Sequence, residues 1–399
     1  MRIVHIDKFY PPTGGVGGYV EALAAAQRAA GHAVAEFGCV DADAPAGMPH
    51  RHDFTRRRLR DLPRMIHNAD AAAALARFLR RNPADVAHLH NIYHHLTPAI
   101  LPVLARRGVA AIMTVHDYRL ACPTRHFRRP DGLCTRCWPN RFLHAASPRC
   151  AGWAGAALGI ESYVQRLARR YFRWIDGFVC PTRYMAGVLR RLGAPESKLA
   201  VVGSPIRTAA PAAETDETPN RLLFAGRLSM EKGPEQMLAL AERLPQADVV
   251  LLGDGPLRAE LERRVRRREL PNVCVRGGVG AATVAGEMAR AAAVVLPSRC
   301  MENAPLTMLE AMAVGRTVIV PDQPPLREHV RDGVTGRTFA TGDDAALARV
   351  AGEVLADATA RRRMGAAARR AVRDRHDAAT VARRVDTLYE EAIRRCASR

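Results

Sequence analysis

Hydrophobic and polar positions along the chain fall into two successive series of short apolar runs separated by longer amphipathic stretches. In the first series a run at 2–7 leads into a glycine-rich segment and a helical stretch at about 17–30. A second run at 33–40 completes a predicted βαβ unit. VAHLH (86–90), AAIMTVHD (110–117) and GFVCPT (177–182) predict further parallel strands. The second series contains RLLFAGRL (221–228), DVVLLGDG (248–255), NVCVRGGV (272–279), AAAVVLPS (291–298) and TVIVPD (317–322). Helical stretches separate these runs, one ending at Leu244 and a charged amphipathic one at 256–270. Between the two series lies SPIRTAAPAAETDETPN (204–220), polar, proline-rich and without periodicity, which reads as a linker.

Strands that alternate with helices imply an α/β fold in which parallel sheets are covered on both faces. The expected organisation is a first Rossmann-like domain over 1–205, a linker over 206–220 and a second Rossmann-like domain over 221–375. A final helical segment covers 376–399. A length of 399 residues exceeds one typical core, in keeping with two domains. No run of eighteen apolar residues appears, and MRIVHIDKFY reads as a strand rather than a signal peptide. The expectation is a cytoplasmic protein.

Charge changes the picture further. The net charge of +20 is uneven: residues 1–207 hold 30 Lys and Arg against 14 Asp and Glu, and the remainder 30 against 26. The first half therefore suits an anionic partner such as a membrane surface or a lipid-linked phosphate. Arg56, Arg57, Arg58 and Arg60, and Arg77, Arg80 and Arg81, are the clusters that suggest this. Aromatic residues do not alternate with them, which speaks against single-stranded nucleic acid.

The densest candidate chemistry lies in PSRCMENAPLTMLEAMAVG (297–315), after a predicted strand. Asn303 can cap a helix, Pro305 suits its first turn and Gly315 its end. The backbone N–H groups of Leu306 and Thr307 would then meet an anion, with Glu310 one turn inside to bind hydroxyls and Glu302 before the helix. A diphosphate-binding loop next to a carboxylate that suits a sugar or ribose points to a sugar nucleotide. Arg227 and Lys232, in FAGRLSMEKG after the strand at 221–228, are two cations able to converge on one phosphate cluster. Lys232 is one of only three lysines, with Lys8 and Lys198. Gly14, Gly15, Gly17 and Gly18 follow the first strand and could let a phosphate approach backbone N–H groups. Val20 stands where a dinucleotide fingerprint needs its last glycine, although Asp41 and Asp43 sit near where its ribose acid would.

Two further constellations are less directional. His116 ends a predicted strand beside Asp117, and HLHN (88–91) ends another. The latter is expected to be structural or to face the acceptor, and its i, i+2 histidines give a metal little support. Cys122, Cys134, Cys137 and Cys150 have a spacing compatible with a tetrahedral zinc site of four thiolates, with uncoordinated thiols as the alternative.

In this order the glycine-rich loop, TVHD, GRLSMEKG, GDGP (253–256) and the Glu302–Glu310 pair resemble the retaining GT-B glycosyltransferases, family 4 in particular. The resemblance covers nearly the whole chain. It implies two Rossmann-like domains facing across a cleft, the first for acceptor and the second for donor, with the final helix crossing back to the first. It further implies transfer of a sugar from a nucleoside diphosphate, UDP or GDP favoured, with retention and no catalytic metal. Arg227 and Lys232 would neutralise the leaving diphosphate, and Glu310 would bind the ribose. Glu302 and His116 would lie near the donor sugar, and Gly15 and Gly17 would lie against the diphosphate and the acceptor. An insertion at about 119–152, holding the four cysteines, is a feature of many members and would shape the acceptor entrance. The expected acceptor is lipid-linked or a glycan, at the inner face of the cytoplasmic membrane. An epimerase of related architecture and a non-catalytic sugar-nucleotide binder are the alternative readings, and a nucleic-acid binder ranks last.

Overall fold

The computed structural model describes residues 1–10, 14–39, 62–168, 171–206 and 217–398. Asp41, Asp43, the cluster Arg56–Arg60 and most of the linker lie outside these residues. The chain divides into two compact units. One comprises Met1–Arg125, Thr135–Pro205 and Ala378–Arg399; the other comprises His126–Cys134 and Ile206–Asp377.

In the first unit β1 (Arg2–Phe9), β2 (Ala33–Cys39), β3 (Val86–Leu89) and β4 (Ala110–Thr114) open a six-stranded sheet. A short hairpin, β5 (Arg128–Arg129) and β6 (Gly132–Leu133), comes next and clusters with the second unit. The first sheet is completed by β7 (Gly177–Cys180) and β8 (Leu199–Val201), in the order β2-β1-β3-β4-β7-β8 and wholly parallel. Burial of Ile3, Ile6, Val86, Leu89, Ile112 and Phe178 explains the apolar runs. The terminal helix, Ala378–Ala397, buries Val381, Val385, Leu388, Tyr389 and Ala392 at helical spacing within this unit. Gly177 on β7 makes room for it, since a Cβ there would meet Ile112 Cδ1 at 2.8 Å and Leu388 Cδ1 at 3.3 Å.

The second unit repeats the plan with β9 (Thr218–Ala225), β10 (Asp248–Leu252), β11 (Val273–Arg276), β12 (Ala291–Val295), β13 (Thr317–Pro321) and β14 (Arg337–Phe339). The order is β11-β10-β9-β12-β13-β14, again parallel. Alternate residues supply two cores. Leu222, Phe224, Val249, Leu251 and Val295 pack with Met237, Leu261 and Leu347 on one face. Leu223, Val250, Val294 and Val318 pack with Met288, Met308 and Val372 on the other. Each such fully buried aliphatic side chain contributes about 1.5–3 kcal/mol over an exposed one. Strand β9 starts at Thr218, within the expected linker, because Thr218 pairs with Ala291.

Both strand orders reverse direction next to their first strand, between β1 and β3 in one sheet and between β9 and β12 in the other. The carboxyl ends flanking such a reversal form the crevice in which open α/β sheets bind ligands. The loops that follow β9 and β10 touch there through glycines. A Cβ on Gly253 (φ +135°) would stand 1.9 Å from the Gly226 carbonyl oxygen, and one on Gly255 (φ +157°) 2.5 Å from that of Leu228. GDGP is thus a packing motif that holds the Arg227 loop.

Replacing Gly253 by alanine should cost about 2 kcal/mol or more through strain and collision. Gly286→Ala, in a helix where an added Cβ meets nothing within 4 Å, should be neutral or stabilising by about 0.5–1 kcal/mol. Thermal unfolding of the two variants checks the contrast; equal midpoints would refute the packing role of Gly253.

Candidate functional site

The second unit gathers several of the expected residues at the carboxyl ends of β9 and β12. Lys232 Nζ donates to Glu302 Oε1 at 2.7 Å, and the Ser298 hydroxyl donates to the same oxygen at 2.5 Å. Gly233 allows this approach: its φ is +66°, and a Cβ would lie 2.2 Å from the Pro297 carbonyl oxygen. Glu302 is fixed from behind, its backbone N–H donating to Gln323 Oε1 at 2.9 Å while Gln323 Nε2 donates to the Cys300 carbonyl at 2.9 Å. The loop is tied further where Arg299 N–H donates to the Glu231 carbonyl at 2.9 Å and Met301 N–H to that of His126 at 3.0 Å. Burial alone would lower the Lys232 ammonium, but the adjacent Glu302 carboxylate outweighs it and holds the pKa above the usual lysine range. Lys232 is therefore a fixed cation with its side chain still 34% exposed.

Arg227 is exposed on the same loop and, among the described residues, makes no side-chain hydrogen bond or ion pair. It is a cation ready for a ligand. The helix Leu306–Ala313 starts one residue after Pro305, which occupies the N-cap position without a side-chain capping bond. Asn303 was expected there; it lies buried two residues before Pro305. A proline has no side-chain acceptor to offer, so the first-turn N–H groups, Leu306 and Thr307 included, receive no cap from their own chain end. Glu310, one turn in, keeps part of its side chain exposed, while partial burial of its carboxyl pushes it above the usual range. Among the described residues it makes no side-chain hydrogen bond or ion pair.

In the first unit Gly15 and Gly17 lie not in a loop but in the first turn of the helix Gly14–Ala29, which begins three residues earlier than expected. Gly14 supports the turn with φ +64°. His116 follows β4 and belongs to a buried cluster that the spacing of HLHN only hinted at. His90 Nδ1 lies 2.9 Å from His116 Nε2, and His90 Nε2 lies 3.0 Å from His5 Nδ1. His5 Nε2 is 2.8 Å from Gln27 Oε1, and Gln27 Nε2 donates to the Tyr389 hydroxyl at 3.2 Å. His88 sits between that hydroxyl, 2.6 Å from Nδ1, and Thr114 Oγ1, 2.6 Å from Nε2. The detectable signal was that β1, β3 and β4 are neighbours carrying His5, His88 and His90, and His116. Burial holds His5 down to about 4 and His116 to about 3, with His88 and His90 also well below the ordinary range.

The four cysteines do not converge as a ligand set. Among the described residues the only group of three or more with ligand atoms mutually within 4.8 Å is His5, His88 and His90. Cys137 and Cys150 pack with Phe142 and Ala145, and Cys122 Sγ lies 3.2 Å from Thr124 Oγ1. This arrangement does not fit a four-thiolate zinc site. The segment is held instead by close packing and by charge. Gly155 and Gly159 bring the helix Gly152–Tyr163 against the carbonyls of Ala145 and Phe142. Buried Arg119 donates to buried Glu161 at 2.5 Å.

Two Rossmann-like domains of this kind, with cations and a helix start at the reversal point of the second sheet, define a GT-B glycosyltransferase. The model for Glycosyltransferase Family 4 matches residues 13–210, and that for Glycosyl transferases group 1 matches 206–371. The chain belongs to this family of glycosyltransferases. It is 28% identical to glycogen synthase of Mycobacterium tuberculosis, covering 99% of this chain and 95% of that protein. It is 26% identical to alpha-maltose-1-phosphate synthase of the same organism, covering 92% and 94%. Sucrose-phosphate synthase from Thermosynechococcus elongatus has the same fold, with a TM-score of 0.71 at 20% identity over 98% of both chains. Anabaena Alr3699/HepE, solved in complex with UDP-glucose, has a TM-score of 0.66 at 15% identity over 97% of this chain and 99% of that one.

The neutral histidines make stability acid-sensitive. Their folded-state values lie below the unfolded value of 6.5, so the unfolded chain binds more protons as pH falls below it. Stability is complete above that value and is lost as pH drops from there toward about 4 for His5 and about 3 for His116, at about 1.4 kcal/mol per pH unit for each of these two. Urea midpoints should decline between about pH 7 and about pH 5, before most carboxylates titrate; a flat profile would contradict the buried, neutral cluster.

Proposed function

We propose that the chain transfers a sugar from a nucleoside diphosphate, UDP or GDP, to an acceptor with retention of anomeric configuration and without a catalytic metal. The observation that carries this reading is Lys232 locked to Glu302 beside the uncapped helix start at Leu306, with exposed Arg227 on the Lys232 loop. One fixed cation, a second exposed one and unpaired N–H groups suit the developing charge of a departing diphosphate, a task that other enzymes give to a metal. The UDP-glucose complex of Alr3699/HepE, a protein of the same fold, supports a nucleotide-sugar donor.

In this reading Arg227, Lys232 and the N–H groups of Leu306 and Thr307 take the diphosphate, and Glu310 accepts hydrogen bonds from ribose hydroxyls. Asn303 stands on the same loop. Glu302 lies by the donor sugar and also orients Lys232; its Oε1 is engaged by Lys232 and Ser298, which disfavours it as a nucleophile. His116 holds a donor-sugar hydroxyl, and Gly15 and Gly17 let the diphosphate and the acceptor approach the helix start. The bond from the anomeric carbon to the phosphate oxygen breaks as the acceptor oxygen bonds on the same face. The acceptor's proton passes to the leaving phosphate.

The acceptor we propose is lipid-linked or a glycan at an anionic membrane surface. The helix Gly152–Tyr163 exposes Trp153, at 94%, with Ile160 and Tyr163. Leu143 is 75% exposed nearby in sequence, among exposed Arg136, Arg141 and Arg149. Apolar side chains with arginines suit the interface of an anionic bilayer. Among the described residues no helix is long and apolar enough to cross a membrane.

A nucleoside diphosphate of the matching base should raise the unfolding temperature, and Arg227→Ala or Glu310→Ala should abolish that shift while leaving the unliganded midpoint unchanged. A full shift in both variants would remove the donor-site assignment. Vesicles with phosphatidylglycerol should co-float the protein at low salt, and Trp153→Ala should weaken flotation several-fold. Equal flotation of the variant would discard this surface.

A further inference from the structure

Eight polar side chains of the first unit form one connected hydrogen-bonded array with Gln27 at its junction. One arm runs from Gln27 Oε1 through His5 and His90 to His116. The other runs from Gln27 Nε2 through Tyr389 and His88 to Thr114, whose hydroxyl lies 3.2 Å from that of Tyr19. Every member except His116 is buried. The members come from three neighbouring strands, from the helix Gly14–Ala29 and from the terminal helix Ala378–Ala397.

A neutral imidazole has one N–H and one lone pair, so a chain of such rings has a direction. Gln27 Nε2 donates to Tyr389, which leaves Oε1 to accept from His5. His5 then carries its proton on Nε2 and must accept at Nδ1 from His90 Nε2–H. His90 must accept at Nδ1 from His116 Nε2–H. His116 is left with its proton on Nε2 and its lone pair on Nδ1. In the other arm Tyr389, having accepted from Gln27, donates its single proton to His88 Nδ1, and His88 Nε2–H donates to Thr114. Turning the one amide over would reverse both arms together.

We propose that Gln27 and the histidines His5 and His90 are positioning residues that set the tautomer and ring orientation of His116. Tyr389 on the terminal helix accepts from the Gln27 amide and links it to His88. Burial, which keeps all four rings neutral, is what makes the order complete, since an imidazolium would donate from both nitrogens and break the sequence. The same atoms could be read as a metal site, because three of the rings lie within ligand distance. A metal, however, needs lone pairs, and each ring nitrogen of His5, His88 and His90 already has a hydrogen-bond partner at 2.6–3.0 Å. The consequence for catalysis rests on the proposed role of His116 at the donor sugar; the tautomer order does not.

The test is imidazole nitrogen NMR of the full chain labelled at histidine, with His116 assigned from a His116→Ala spectrum. Wild type should show His116 protonated at Nε2 and unprotonated at Nδ1. Gln27→Leu, which removes the acceptor, should convert His116 to a mixture of tautomers, and Gln27→Glu, which keeps an acceptor for His5, should retain the wild-type pattern. Should Gln27→Leu fail to fold, His90→Gln serves, since it interrupts the chain next to His116. An unchanged His116 spectrum in these variants would overturn the proposal, as would stoichiometric zinc in protein purified without chelator. In turnover, Gln27→Leu should lower kcat by about tenfold or more at unchanged nucleotide affinity, with Gln27→Glu restoring it. Full activity of His116→Ala would refute the donor-sugar role of His116 while leaving the NMR result to decide the tautomer chain.

Discussion

A parallel sheet covered on both faces has nowhere to place an unpaired polar side chain except at its strand ends, and this constraint organises both units. Leu222, Leu223, Val249 and Val250 point to opposite faces and are buried on each. The polar groups of the candidate site therefore come from the residues just past β9 and β12, where the strand order reverses. Close backbone contacts then decide how those loops converge. Gly253 and Gly255 accept the loop that carries Arg227, and Gly233 accepts the carbonyl of Pro297, so Lys232 reaches Glu302. A side chain at any of these glycines would open the gap between two loops that must touch.

The two units treat buried polarity in opposite ways. In the second, a charge is kept by pairing: Lys232 stays cationic because Glu302 compensates its desolvation. In the first, four neighbouring histidines cannot all be charged, and burial leaves them neutral and mutually hydrogen-bonded. A fixed cation suits a site for phosphate. A neutral, directional array suits the orientation of one imidazole at its end. Each solution satisfies the buried groups, and the same physical cost, desolvation, drives both.

Much of the fold and part of the candidate site were legible in the residue order. Apolar runs of strand length between amphipathic stretches specify parallel sheets because local periodicity reports burial directly. The order of TVHD, GRLSMEKG, GDGP and the Glu302–Glu310 pair located the family, since those residues sit at strand ends whatever the detailed packing. Asn303 has the chemistry of a cap, yet the helix starts at Leu306 after Pro305, and the first helix starts within the glycine-rich segment at Gly14. Both are boundary effects, in which backbone geometry at the strand end outweighs the preference of one residue.

What the sequence determined by itself was therefore the set of elements, their alternation and the chemical types available at strand ends. What only the tertiary structure decided was which of those side chains meet. Lys232 and Glu302 are seventy residues apart in sequence, and Gln27 meets Tyr389 across 362. The spacing of four cysteines suggested a metal, yet among the described residues they form no group of three with sulfurs in ligand reach, whereas His5, His88 and His90 do come together. Periodicity is a local property read from neighbouring residues. Convergence depends on strand order, register and close backbone contacts, which belong to the folded chain as a whole.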